Sequence, residues 1–147
     1  MSGAILSLTT PGLDEAIKRL SVLPGFEMAE LADDAAAILE SSTRARFETK
    51  EAPDGTPWAD WSDDYAATRG SNHSLLINEG EMRDSIASYA TGDEAAVGSN
   101  LVYFAHQHFG GEEIDSGIPA RPVLGMSDQD EQDIYDLATG RLEELLQ

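Results

Sequence analysis

The sequence predicts a single α+β domain, with helices at both ends of the chain and a small antiparallel sheet between them. Three observations carry this. Apolar residues recur at helical spacing in residues 11–49 and again in 127–147, while the middle is broken into short segments by glycine and proline. A chain of 147 residues, 41% of them hydrophobic, suits one core rather than two. The predicted division of this domain, 1–147, is a helical N-terminal part over 1–50, sheet and loops over 51–126, and a C-terminal amphipathic helix over 127–147.

Ala4–Leu8 is an apolar run long enough for one short strand. Thr10-Pro11 then reads as an N-cap followed by proline at the first helical position, where its missing N–H costs nothing. Leu13, Ala16, Ile17, Leu20 and Leu23 fall on one helical face, and Pro24-Gly25 stops that helix. A longer helix is predicted from about Phe26 to Thr49. Its apolar stripe is Met28, Leu31, Ala35, Leu39 and Phe47, flanked by Ala32, Ala36 and Ile38, and its alanine-rich middle permits close approach of another helix.

Pro53-Asp54-Gly55-Thr56-Pro57 cannot continue a helix and marks a turn-rich loop. Trp58 and Trp61 follow, with one or two helical turns to Thr68, and then the polar stretch Arg69–Ser74. Gly80 opens the next ordered block. Asp84–Ala90 and Glu94–Val97 are placed to pair as a hairpin across Thr91-Gly92-Asp93. Leu101–Phe109 fits either a short amphipathic helix or an extended aromatic segment, ended by Gly110-Gly111. Glu112–Gly117 reads as an exposed loop. Ile118-Pro119-Ala120-Arg121-Pro122 is extended, because each proline pushes its predecessor out of the helical region. Ser127 and Asp130 have capping-box spacing at the start of the last helix, whose Ile134, Leu137, Ala138, Arg141, Leu142 and Leu145 share a face, with Gly140 as its weak point.

Charge excludes several function classes. Nine Lys and Arg face 28 Asp and Glu, a net charge of -19. That balance opposes a phosphate-neutralising nucleic-acid footprint and adhesion to anionic membranes. No stretch approaches the ~18 apolar residues of a membrane helix, and the N-terminus lacks the basic region of a secretory signal. The expectation is a soluble product made in the cytoplasm, with no membrane partner. With no cysteine there is no disulfide, thiol nucleophile or thiolate metal site. The acids are spread over the whole chain, which predicts a solvated acidic shell suited to high salt; an ordinary acidic domain is the alternative.

Chemistry-bearing patterns are sparse. His106 and His108, at i and i+2, converge on a metal only from a strand and match no helical zinc motif. Packing within an aromatic segment or an interface is the better account of them. Asp128–Asp133 resembles a calcium loop but has Asp133 where the loop needs glycine, and Thr139 where it needs glutamate. No nucleophile elbow, P-loop or dinucleotide fingerprint occurs. Trp58 and Trp61, at i and i+3, suit core closure or a subunit contact better than a ligand platform. Arg121, held between Pro119 and Pro122, suits bidentate pairing with a carboxylate in the fold or on a neighbour. Neither a catalytic residue, a metal site nor a cofactor is expected.

Five blocks, in order, resemble the phage virion morphogenesis family, which includes tail-completion proteins of tailed phages. They are the Phe47 region; Asp54-Gly55-Thr56-Pro57-Trp58; Leu76 through Gly80-Glu81-Met82-Arg83-Asp84-Ser85-Ile86; Val97-Gly98-Ser99-Asn100 with Tyr103; and Gly110-Gly111 followed by Pro119-Ala120-Arg121-Pro122-Val123-Leu124-Gly125. The last is the most specific. The sequence departs from the family pattern at Tyr103-Phe104-Ala105-His106-Gln107-His108, where the polar pair changes order, and over its first ~40 residues, where the resemblance is in helical character only.

The resemblance implies a structural, non-enzymatic virion protein at the head–tail junction. It would complete the tail and join it to the DNA-filled head as a homo-oligomeric, hexameric ring around the DNA channel. Its partners would be neighbouring head-completion and tail-tube or tail-terminator proteins, with duplex DNA passing without sequence-specific binding. Asp54, Gly55, Trp58, Gly80, Gly98, Tyr103, Gly110, Pro119, Arg121, Pro122 and Gly125 are then the motif residues, and Trp58, Trp61, Tyr103 and Arg121 the candidate subunit interface. The competing classes are another neck or tail component, such as a head-closure, tail-terminator or tube protein, and a small metal-dependent hydrolase using His106 and His108.

Overall fold

In a computed structural model the chain is described over residues 4–6, 11–60, 81–92, 94–101, 104–110 and 119–147. Strand β1 (Ala4–Leu6) and helix α1 (Pro11–Ser21) precede the long helix α2 (Met28–Thr49). A short helix α3 (Glu81–Asp84) leads into strands β2 (Ala87–Thr91) and β3 (Glu94–Ser99). Helices α4 (Phe104–Phe109) and α5 (Asp128–Leu145) complete the order. This is the expected α+β architecture.

The sheet order is β1-β3-β2, both outer strands running antiparallel to β3. The hairpin closes at Thr91↔Glu94, as its Gly-Asp turn predicts, and Gly92 takes the positive φ of 60° that such a turn needs. The strand begins at Ala87 rather than Asp84. Residues 81–84 form α3 instead, and Ser85 and Ile86 donate back to the carbonyls of Met82 and Arg83 to end that helix. Of the two readings of 101–109, the helix is the one adopted, from Phe104 onward.

Helix α2 is the spine. It packs against β2, β3 and α5. Leu31, Ala32, Ala35, Ala36, Leu39 and Phe47 are buried, so the predicted apolar stripe is the one that faces inward. Two polar residues, Thr43 and Arg46, are buried on the same stripe. The main core joins Leu39, Phe47, Trp58, Ile86, Val97, Phe104, Val123 and Ile134. A second cluster, around Leu20, Leu31 and Ala138, ties α1 to α2 and α5.

Helix α5 opens with the capping box anticipated from Ser127 and Asp130. It runs through Gly140 without a break. Its Ile134 and Ala138 are buried, and Arg141 reaches across to Glu30 and Asp34 on α2.

Candidate functional site

The Asp54–Trp58 block and the Pro119–Gly125 block, more than sixty residues apart in sequence, close on each other in space. The first begins where α2 ends. Lys50 adopts the left-handed conformation (φ 60°) and its N–H returns to the carbonyl of Arg46, 2.7 Å away. A tight excursion follows. Ala52 N–H donates to Thr56 O, Gly55 N–H to Ala52 O, and Trp58 N–H to Lys50 O. At its tip Asp54 accepts from the Thr56 N–H at 2.9 Å, and that bond holds the exposed carboxyl below its ordinary pKa. Gly55, at φ 88°, supplies the turn. Asp54 through Pro57 stay exposed.

Trp58 then turns inward. It is 5% exposed and meets Phe47 edge-on at 5.7 Å. Its indole N–H donates to Pro122 O at 2.8 Å. Arg121, 6% exposed, donates from Nε to Ala59 O at 2.8 Å and from Nη2 to Asp60 O at 3.2 Å. Gly125 abuts Pro53 so closely that a Cβ there would stand 2.5 Å from the proline Cγ. These four contacts form a clasp that fixes the turn 51–60 against the strip 119–125.

The strip is held from its other side by α4 and α2. The Arg121 N–H donates to Gln107 O at 2.9 Å. His108, buried between Phe104 and Phe109, uses Nδ1 to accept from the Val123 N–H at 3.0 Å and the Leu124 N–H at 3.3 Å. That geometry places its proton on Nε2. Burial lowers its pKa, favouring the neutral ring. Arg46 donates from Nη1 to Val123 O at 2.7 Å and from Nη2 to Ser42 Oγ and Asp130 Oδ2, at 3.0 and 2.9 Å. The same Asp130 oxygen accepts from Ser42 Oγ and the Ser127 N–H. Desolvation pulls the Arg46 guanidinium down, and Asp130 opposes it.

Of core closure and subunit contact, Trp58 takes the first: Phe47 and the Pro122 carbonyl satisfy its apolar and its polar parts. Arg121 is oriented by donating to the main-chain carbonyls of Ala59 and Asp60. A buried arginine–carboxylate pair that sequence reasoning did not anticipate is Arg46–Asp130. It was missed because Asp130 explained itself as a helix cap. The available signal was Thr43 and Arg46 interrupting the α2 stripe between Leu39 and Phe47.

Of the other motif residues, Gly98 sits in β3 opposite both Ile5 and Ala87. Gly110 ends α4 at φ 82°, and Pro119 and Pro122 are exposed. Trp61, Gly80 and Tyr103 lie outside the described residues, as do the side chain of His106 and the segments 61–80 and 111–118. No group of three or more metal-ligating side chains gathers among the described residues. No helix there is long and apolar enough to cross a membrane.

Fold and site define a small α+β protein whose distinctive residues hold main chain in place. Residues 8–143 match the phage virion morphogenesis family, and the chain belongs to it. It is also 35% identical over 116 residues to the putative capsid assembly protein G of Escherichia phage Mu, a match covering 73% of this chain and 74% of the relative. No solved structure matches. The chain's role therefore lies in phage virion morphogenesis.

Proposed function

We propose that this protein is a structural component of the head–tail junction, completing the tail and joining it to the DNA-filled head as a ring around the channel. The observation that carries this reading is the clasp. The family's most specific motif is used to hold an exposed turn, Asp54–Pro57, on a rigid base. Such a device suits presenting a surface to another protein. A structural role fits it and fits the virion morphogenesis family to which the chain belongs.

Charge supports the same reading. At -19 per copy, a ring of these chains repels duplex DNA from its lumen, so a genome passes without adhering. Each subunit of a ring needs two different complementary patches. With Trp58 and Arg121 buried, the exposed turn beside them is the better candidate for one of these.

The test is the copy number of the chain in purified particles, by quantitative mass spectrometry. A number that matches one ring supports the neck assignment, and many copies point to a tube. Absence from mature particles overturns it. That outcome favours the second reading, an assembly factor that acts on the capsid and leaves, which the printed name of the phage Mu relative suggests.

A further inference from the structure

The sheet has two open edges among the described residues, the outer sides of β1 and β2. Natural sheets guard such edges with charge, proline or bulges. Among the described residues, neither edge strand carries a charge, a proline or a bulge. Residues 1–13 and 85–92 contain no Asp, Glu, Lys or Arg, although a quarter of the chain is charged. Proline is also missing from 85–92, and Tyr89 in its centre is 54% exposed. Between copies each carrying -19, repulsion is weakest where acids are absent.

The register says which backbone groups those edges offer. Thr91↔Glu94 closes a two-residue hairpin and is a hydrogen-bonded pair. Alternation then makes Tyr89↔Ala96 and Ala87↔Gly98 hydrogen-bonded pairs, and leaves Ser88 and Ala90 with N–H and C=O directed to the open side. On β3, Val97 and Ser99 consequently face β1, pairing with Leu6 and Ala4, so Ile5 directs its own N–H and C=O outward. Both outer strands run antiparallel to β3 and therefore parallel to each other.

These edges are complementary. In a parallel ladder, one residue donates to the carbonyl of one residue and accepts from the N–H two positions further along the partner strand. Ile5 offers one such outward pair, and Ser88 C=O with Ala90 N–H is the matching set. We infer that neighbouring copies join edge to edge, β1 of one copy adding in parallel to β2 of the next, with Ile5 opposite Tyr89. The contact is head-to-tail, so it repeats from copy to copy and closes wherever the rotation closes. This rests on the ring reading above and supplies one of its two patches.

The experiment uses the full chain in about 3 M KCl, where repulsion between copies is screened. Sedimentation of wild type is compared with that of Ala90→Pro, which removes an outward N–H from an edge strand and leaves the internal ladder intact. Because the chain lacks cysteine, Ile5→Cys with Tyr89→Cys also gives a unique cross-linking pair for a short bismaleimide. Expected are oligomers for wild type, self-association at least about tenfold weaker for Ala90→Pro with unchanged circular dichroism, and cross-linked ladders. Oligomers that form equally in Ala90→Pro, without cross-links, overturn the edge contact and leave the ring standing. A wild type that stays monomeric also overturns the contact, while the particle copy number decides the ring independently.

Discussion

Arg46 on α2 and Asp130 on α5, 84 positions apart, meet at 2.9 Å inside the protein, and the carboxylate oxygen that accepts from Arg46 also accepts from the first N–H of its own helix cap. One oxygen thus ties the spine helix, the C-terminal helix and, through Arg46, the carbonyl of Val123.

Breaking that pair from one side leaves a buried charge without its partner. Asp130→Ala is expected to cost about 3–5 kcal/mol, and Arg46→Met a similar amount. The double substitution Arg46→Met, Asp130→Leu should cost less than the sum of the two. Urea unfolding of the four proteins at one salt concentration checks this, and simple additivity would contradict it.

His108 accepts two backbone N–H bonds only while its ring is neutral. Its folded pKa is lowered from the ordinary 6.5, so its contribution is complete above that pH. As pH falls below 6.5 the unfolded chain takes up the proton first, and stability declines toward the folded pKa. His108→Phe keeps the aromatic packing but strands the Val123 and Leu124 N–H groups, at about 1–3 kcal/mol. Thermal melts from pH 7.5 to 5.5 should show a smaller decline in the variant than in wild type.

Gly125 is close-packed against Pro53. Gly125→Ala forces the turn 51–60 to shift, with an expected loss of about 1–3 kcal/mol. Pro53→Ala should relieve most of it. A double-mutant cycle that finds no coupling between the two positions would separate the motif blocks energetically.

Trp58→Phe keeps most of the buried ring and removes the bond to Pro122 O. The expected cost is about 1 kcal/mol from that bond, together with whatever the smaller ring leaves unfilled, against about 3–5 kcal/mol for Trp58→Ala. Chemical denaturation measures both. Equal losses would assign the stability to the indole N–H bond rather than to ring packing.

Unfolding temperature should rise between about 0.1 and 3 M KCl as self-repulsion is screened. A flat or falling profile would point to an ordinary acidic domain.

Much of the fold was legible because its signals are local. Proline at the start of α1, the apolar stripe of α2, the Gly-Asp turn of the hairpin and the Ser127–Asp130 box each act within a few residues. The start of β2 was misplaced because α3 is a single turn, too short to show a period. The clasp was legible only as two separate strings. Nothing in Asp-Gly-Thr-Pro-Trp announces that its indole will reach the carbonyl of Pro122, and nothing in Pro-Ala-Arg-Pro announces Ala59 and Asp60 as acceptors. Main-chain acceptors leave no residue signature.

That choice of acceptors sets how the clasp can drift under mutation. Trp58, Arg121, His108 and Arg46 each contribute a side chain, whereas Ala59, Asp60, Pro122 and Val123 answer with peptide groups that every residue type possesses. The two halves of each contact are therefore unequal: one is constrained in identity, the other only in the path of its backbone. A saturation scan should find the four side chains intolerant and their exposed partners at 59, 60 and 122 permissive, so the exposed rim can change to suit a new neighbour while the frame beneath it stays the same.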